Sequence, residues 1–463
     1  MRLLGTAQAQ DMRSAAVHFE KGDVLYGRLR PYLNKVITAD FEGLCSAEFI
    51  PLTARDGIAP RYLQYRLNAT DFVSFASHLR EGDRPRVDWD QVGDFHIEVP
   101  PSLEQRRIVD AIESHLSRLD EAERALGRVR CNLERFRAAV LQAAVEGRLV
   151  PTEAELARED GRDYEPATEL LTRILAERRR RWEESELARL TAAGKQPKGD
   201  KWKAKYRAPG PPNQDILPRL PDGWCWSTVD GVGDVLLGRQ RAPQYLTGRY
   251  SHPYLRVANV KDDAIDLSDV EQMDFDPTHL ERYRLLPGDI LVSEGQSPEL
   301  VGQSAIYRGG IEGLCFQKTL HRFRPALPGP RSEFAQIVFR AHVRAGIFSA
   351  VASITTNIAH LTLEKFKAAP FPLPPASEQQ RIVLECQRLM TLADDVEQLA
   401  GASRRRLRRL RQSVLRWAFE GRLVDQDPND EPASALLERL LEARVQAANA
   451  TRPRRGRRAR KVG

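Results

Sequence analysis

The chain repeats itself at a fixed offset. Pro100-Pro101-Ser102-Leu103-Glu104-Gln105-Arg106-Arg107-Ile108-Val109 returns 274 positions later as Pro374-Pro375-Ala376-Ser377-Glu378-Gln379-Gln380-Arg381-Ile382-Val383. Glu146-Gly147-Arg148-Leu149-Val150 returns as Glu420-Gly421-Arg422-Leu423-Val424, again at 274. Neither copy has gained or lost a residue across the roughly forty positions between the motifs, so the stretch behaves as a rigid ruler rather than a loop. Two rulers imply a pseudo-symmetric molecule holding two similar modules apart.

The rulers read as helices. Ile108, Ile112, His115, Leu119, Ala122, Leu126, Val129, Leu133, Phe136 and Val140 recur at helical steps. Ile382, Cys386, Leu389, Ala393, Val396, Ala400, Ser403, Leu407, Leu410 and Val414 follow in the same phase. A seam sustained over four or more heptads is the mark of a coiled coil. Pro101 and Pro375 stand where a helix can begin, Glu104 and Glu378 suit its positive end, and Gly147 and Gly421 stand where it can stop. Each helix would be about 65 Å long. Identical phase predicts that the two seams pack on each other, antiparallel, with a head at either end. His115 reads as a seam or edge histidine, not a ligand.

At 463 residues several domains are expected, each able to bury a core. Five cysteines without a Cys-x-x-Cys pair argue against a disulfide framework or zinc site and fit a reducing cytosol. No run of eighteen apolar residues and no signal peptide is found, which predicts a soluble, cytoplasmic protein with no membrane partner. The net charge of +7 belongs to the C-terminal end, where seven arginines and one lysine follow Ala443 without an acid. Residues 444–463 are expected to be a disordered tail that adds affinity for phosphates without specificity. Any case for nucleic acid in the body of the chain must be local.

Both copies continue alike, with Glu165-Pro166-Ala167-Thr168-Glu169-Leu170-Leu171 matching Glu431-Pro432-Ala433-Ser434-Ala435-Leu436-Leu437. In the first copy a charged helix follows, then a Lys/Gly/Pro-rich linker ending at Pro209-Gly210-Pro211-Pro212. The heads before the rulers share Gly22-Asp23-Val24-Leu25 with Gly288-Asp289-Ile290-Leu291, and Gly43-Leu44-Cys45 with Gly313-Leu314-Cys315. Elsewhere they diverge. Common scaffolding with divergent heads points to different ligands. The second head has much more chain before its Gly-Asp-Ile-Leu, so the first is expected to be N-terminally truncated.

The ordered set of motifs, present twice, together with Gly22-Asp23-Val24-Leu25-Tyr26-Gly27-Arg28-Leu29-Arg30-Pro31-Tyr32-Leu33-Asn34-Lys35, resembles the specificity (S) subunit of Type I restriction–modification systems. The resemblance implies an α+β fold: two mixed α/β target-recognition domains joined by two long antiparallel coiled-coil helices. The implied divisions are residues 1–101 for an incomplete first recognition domain, 102–215 for the first spacer helix region and linker, and 216–375 for the second recognition domain. Residues 376–443 are then the second spacer region and 444–463 the basic tail. It implies a protein that reads a bipartite target in double-stranded DNA and docks methyltransferase (M) and restriction (R) subunits. It would catalyse nothing itself, and S-adenosylmethionine, ATP and Mg would be held by those partners. The residues agree: no phosphate loop, adenosylmethionine turn, Asn/Asp-Pro-Pro-aromatic motif or metal-nuclease cluster is found.

Base reading needs groups that donate and accept at groove edges, such as Arg for guanine and Asn or Gln for adenine. The first head offers Arg28, Arg30, Tyr32, Asn34 and Lys35, then Arg80, Arg84 and Arg86. The second offers Arg239, Gln240 and Arg241, then Gln296 and Ser297, Gln317 and Lys318, and Thr355, Thr356 and Asn357. Polar loop residues can equally be only solvated, and the arginine run from 404 to 411 reads first as a solvated or partner-facing helix side. Two other readings stay open: the recognition half of a fused restriction–methylation enzyme, and a degenerate remnant that assembles without reading DNA.

Overall fold

The computed structural model describes residues 15–80, 82–195, 199–213, 217–355 and 358–450, with the backbone alone described at 355 and 447–450. The first head opens with β1 (Ala16–Phe19), β2 (Val24–Gly27), β3 (Val36–Thr38), β4 (Gly43–Ser46) and β5 (Phe49–Leu52). Helices α1 (Pro60–Leu67), α2 (Thr70–His78) and α3 (Trp89–Val92) follow, then the long α4 (Ser102–Val145). Strand alternation explains the layering. Val24 and Tyr26 face a core with Phe72, Val87 and Val92, while Leu25 faces Phe19 and Ala39 on the other side. The sheet order is β3-β2-β5, and β1 pairs separately with β4.

Helices α5 (Glu153–Asp160) and α6 (Ala167–Ala192) lead to the second head. It begins with β6 (Cys225–Thr228), α7 (Val229–Val232), β7 (Gly233–Leu237) and β8 (Ser251–Leu255), followed by the small pair β9 (Val260–Lys261) and β10 (Ala264–Ile265). Then come β11 (Glu271–Asp274), α8 (Pro277–Tyr283), β12 (Ile290–Ser293), β13 (Gly295–Gln296), β14 (Ser304–Ile306), β15 (Cys315–Phe316) and β16 (Leu320–Pro325). Helices α9 (Ser332–Arg344) and α10 (Ile347–Val351), the hairpin β17 (Ser353–Thr355) and β18 (Ile358–His360), α11 (Leu363–Ala368) and β19 (Pro370–Leu373) complete it. The main sheet runs β14-β12-β16-β7, flanked by sheets β11-β8-β15, β13-β18-β17 and β19-β6. The chain ends in α12 (Ala376–Phe419) and α13 (Ala433–Ala450). Helix α13 runs past residue 443, where the tail was expected to start; residues 451–463 lie outside the described part.

The shared Gly-Asp motifs are strand-entry turns. Gly22 and Gly288 take φ of 98° and 96°, which suits glycine. Asp23 then accepts from the Glu20 amide at 2.9 Å and Asp289 from the Leu286 amide at 2.7 Å. Each carboxylate ties the turn to its own strand.

The contacts divide the chain into two compact units, residues 1–130 with 398–463, and residues 131–397. The units cut across the linear divisions drawn from the sequence because each head packs on parts of both long helices. In the first unit Ile108, Val109 and Ile112 of α4 meet Val414, Leu415 and Ala418 of α12. In the second, Val140, Leu141 and Ala144 of α4 share a core with Ile382, Val383 and Cys386 of α12. The beginning of one helix thus meets the end of the other in both, and the pair is antiparallel. Ion pairs repeat at the same offset: Arg137 holds Asp394 at 2.5 Å and Glu397 at 2.8 Å, and Arg411 pairs with Asp120 and lies 3.8 Å from Glu123. His115 is exposed, as are the matched seam positions Phe136 and Leu410.

The repeated Glu-Gln pair fastens head to ruler. Gln105 donates to the Pro100 carbonyl at 2.9 Å and accepts from the Ala59 amide at 2.8 Å, at the start of α1. Gln379 donates to Pro374 at 3.0 Å and accepts from the Arg331 amide at 3.0 Å, at the start of α9. Glu378, expected only to complement the helix dipole, is fully buried and accepts from Trp224 Nε1 and the Glu153 amide, both at 2.8 Å. Burial pushes its carboxyl above the usual range against the pull of those donors. The segment read as a linker packs instead: Trp182 stacks on Trp202 at 6.1 Å and contacts Tyr206 at 5.4 Å. Aromatic rings spaced along a polar stretch find each other once a helix offers one of them a platform.

Candidate nucleic-acid interface

In the first head a backbone clamp gathers most of the residues singled out from sequence. The Arg28 amide bonds the Glu48 carbonyl at 2.9 Å, the Val87 amide bonds the Arg28 carbonyl at 3.1 Å, and Leu29 and Arg86 form an antiparallel bridge. The Arg30 amide bonds Pro85 at 2.8 Å, which brings Arg30 beside Arg84 and Arg86. Arg30 itself takes a left-handed φ of 54° at the start of a short turn over Pro31–Leu33. Tyr32 stands out half-exposed, Lys35 is exposed, and Asn34 Nδ2 donates a hydrogen bond to Asn68 Oδ1 at 2.9 Å.

These cations are not equivalent. Arg28 pairs with Asp88, Arg80 reaches the same carboxylate at 3.5 Å, and Arg86 pairs with Glu48. No ion pair engages Arg30, Lys35 or Arg84 among the described residues, so their charge is free for an anionic ligand. The patch is basic and offers the ring of Tyr32, and Trp89, which follows Asp88 at the start of α3, is 53% exposed. Trp89 was missed, since a lone tryptophan in a short run carries no sign of whether it points inward.

The second head repeats the clamp. The Glu294 amide bonds Thr319 at 2.9 Å, the Leu361 amide bonds the Glu294 carbonyl at 2.7 Å, and Gly295 pairs with His360. Residues 28 and 30 therefore correspond to 294 and 296, and 86 to 360. Here the clamp carries Glu294 facing His360 Nδ1 at 3.3 Å, Gln296 on β13, and Ser297 just beyond it. Lys318, exposed and without an ion pair among the described residues, lies beside Thr319 on the same clamp. The antiparallel pair β17–β18 joins β13 and brings Thr355 to this sheet, flanked by Ile354, 59% exposed, and Ile358, 50% exposed. Thr356 and Asn357 lie outside the described residues.

Arg239 differs from expectation. It is buried, lies 4.0 Å from the Tyr245 ring centre and 5.3 Å from that of Phe275, and donates to the Asp274 carbonyl at 2.5 Å. Its guanidinium is committed internally. Its neighbours Gln240 and Arg241 are exposed, with Arg241 3.8 Å from Glu271. Gln317 bridges Arg239 through the backbone, which joins this loop to Lys318. Behind the clamp His321 bonds the Leu361 carbonyl at 2.7 Å, and burial lowers its pKa to about 4. It is a neutral support rather than a reader.

Two mixed heads, each clamped at the same place and each carrying different polar groups there, define a two-headed recognition scaffold. Residues 221–395 match the Type I restriction modification DNA specificity domain. The Type I restriction enzyme EcoKI specificity subunit of Escherichia coli (strain K12) is 24% identical over 365 residues, covering 76% of this chain and 64% of that protein. The EcoAI specificity subunit of Escherichia coli is 25% identical over 414 residues, covering 74% and 62%. The chain thus spans less than two thirds of the length of these curated relatives. The crystal structure of an HsdS subunit from Thermoanaerobacter tengcongensis is 20% identical, with a TM-score of 0.50, covering 89% of this chain and 84% of that one. A structure from work on assembly and conformational transition of the type I R-M system is also 20% identical, with a TM-score of 0.57 and coverage of 89% and 85%. These likenesses support the fold. The second head thus carries the match to the Type I DNA specificity domain, and most of the chain is similar to Type I specificity subunits. Among the described residues no helix is long and apolar enough to cross a membrane.

Proposed function

We propose that the chain is the DNA-reading subunit of a Type I restriction–modification complex. Each head reads one half of a bipartite target in double-stranded DNA. The chain docks M and R subunits, which bring S-adenosylmethionine, ATP and Mg, and it carries out no chemistry of its own. The observation that supports this most is the repeated clamp with unlike side chains: Arg28, Arg30 and Arg86 in one head, Glu294, Gln296 and His360 in the other. A common frame with different donors and acceptors is what reading two different half-sites requires. Arg30 is suited to guanine edges and Gln296 to adenine, while Lys35, Arg84 and Lys318 are suited to phosphates.

The test is methylation mapping with the cognate M subunit and adenosylmethionine. Arg30→Ala should relax one half-site and Gln296→Ala the other, each by about 1–3 kcal/mol of discrimination. Loss at the same half-site for both, or methylation by the isolated chain, would overturn the reading.

A further inference from the structure

The stretch expected to be a linker builds a cavity against the second head. Ile174 of α6 is buried in the core of that unit. One turn on, Arg178 donates to the Gly233 carbonyl at 3.0 Å and pairs with Asp230 at 3.0 Å, and Arg181 donates to the Leu327 carbonyl at 3.1 Å. Trp182 then holds the returning chain: its ring lies 6.1 Å from that of Trp202 and 5.4 Å from that of Tyr206, and Lys203 reaches Glu183 at 3.7 Å. Between α6, residues 205–207 and the ends of β7 and β16 lies a cavity of about 500 Å³. That volume is within the range of small-molecule sites.

Charge in this cavity does not balance. Arg178 and Arg181 are committed to Asp230 and Glu177, and Arg324 to Asp289. Of the two acids in the lining, Glu177 is held by Arg180 and Arg181, and Asp234 by Arg322. Lys205 and Arg207 also line the cavity, both exposed, and no ion pair engages either among the described residues. Between them in sequence, Tyr206 keeps its hydroxyl buried with no hydrogen-bond partner. A buried hydroxyl left in that state calls for an acceptor from outside the chain. The remaining wall is apolar, with Pro325 and with Leu327, which is 68% exposed.

The cavity lies away from the clamp. It touches Gly233 and Pro325, which pair at one end of β7 and β16, while the clamp bonds Thr319 beyond the other end of β16. Strand β16 spans six residues, which sets the two about 17 Å apart. A ligand held here is not the set of base edges read at the clamp.

We propose that this cavity binds a nucleotide by its terminal phosphate. Lys205 and Arg207 pair with the phosphate, Tyr206 Oη donates to it, and the base lies against Trp182, Pro325 and Leu327. A phosphate monoester carries about −1.5 to −2 charge and three acceptor oxygens, which match two uncompensated cations and an unpartnered hydroxyl. A carboxylate or a phosphodiester brings a single charge and leaves one cation unmatched. Bare phosphate leaves the rings and Leu327 uncovered, whereas a base covers them. The proposal stands apart from DNA reading and holds whether or not the heads bind DNA.

The probes are adenosine and thymidine 5′-monophosphates, the two nucleosides, inorganic phosphate, and an oligothymidylate with and without a 5′-phosphate. Each is added to the full chain without duplex DNA or other subunits, and followed by calorimetry and hydrogen exchange. Expected are one bound nucleotide per chain, slowed exchange in residues 201–207, and binding at least about ten-fold tighter than nucleoside or inorganic phosphate. Lys205→Ala and Arg207→Ala should each weaken nucleotide binding about ten-fold, and Tyr206→Phe about three-fold, while nucleoside binding stays unchanged. The first two positions are exposed and unpaired and the third keeps its ring, so all three variants should fold. An oligothymidylate that binds only with its 5′-phosphate would place the ligand at a strand end; binding of the monophosphates alone would make it a free nucleotide. No binding at millimolar nucleotide, nucleoside binding as tight as nucleotide, protection elsewhere than 201–207, or tighter binding of the strand lacking a 5′-phosphate would overturn the proposal.

Discussion

The first head carries more arginine at its clamp and is the more open; the second is the more buried and the more complete. Both are fastened to the rulers by the same glutamine and both hold the same clamp. What differs is what surrounds the frame. The second head closes β16 with β7 and satisfies Glu378 with Trp224. The first leaves β5 unpaired among the described residues and surrounds its clamp with arginines. The frame is thus held by backbone bonds and buried glutamines, which leaves the surface free to vary in charge without loss of fold.

Acid should separate the heads most strongly. His321 and His342 are both buried in the second unit, and desolvation lowers each to about 4, against carbonyl bonds that pull the other way. Unfolded histidine takes up a proton near pH 6.5, so the unfolded state binds more protons as pH falls from about 6.5 to about 4. Stability contributed by the neutral rings is present above 6.5 and lost through that window, by up to about 3 kcal/mol for each histidine. Exchange of β16 and α9 should therefore quicken on acidification well before that of β2 and α1. Equal quickening in both heads would break the comparison.

Next in size is the buried carboxylate. Glu378→Ala leaves the Trp224 and Glu153 N–H groups without their acceptor inside the second unit, at a cost of about 3 kcal/mol. Glu104→Ala removes a carboxylate with no partner among the described residues, and should change stability by less than about 1 kcal/mol or improve it. Denaturant unfolding of the two variants, read head by head through exchange, compares them directly. Equal losses would mean that Glu104 has a donor after all.

Much of this was legible in the sequence, and the limits are physical. The offset of 274 gave the helices, their phase and their antiparallel pairing, because periodicity names the buried face. It does not name a polar partner. Glu104 and Glu378 occupy identical motifs, yet only Glu378 meets an indole, and that indole lies far away in sequence. Among the site residues, Arg28, Arg30 and Arg86 fell together because two short segments bridge at Leu29 and Arg86. Arg239 was drawn to the same list by its polar loop, but a guanidinium between Tyr245 and Phe275 is a packing element. Residue type alone does not separate those two uses of arginine.

The smallest expected effect tests the symmetry itself. Arg137 and Arg411 are related by the repeat offset and hold carboxylates related by the same offset. Arg137 has 16% of its side chain exposed and Arg411 41%, while their partners face solvent. Exposed pairs are screened and lose side-chain freedom on forming, so each contributes only about 0.2–1 kcal/mol. Arg137→Ala should lie at the upper end of that range and Arg411→Ala at the lower, because the less exposed arginine is screened less. Both effects should shrink as salt is raised. A double-mutant cycle with Asp394 and with Asp120 isolates each pair from the loss of the arginine stem's packing. Coupling in one pair and none in the other would show that the rulers, alike in sequence, are held together differently in the two units.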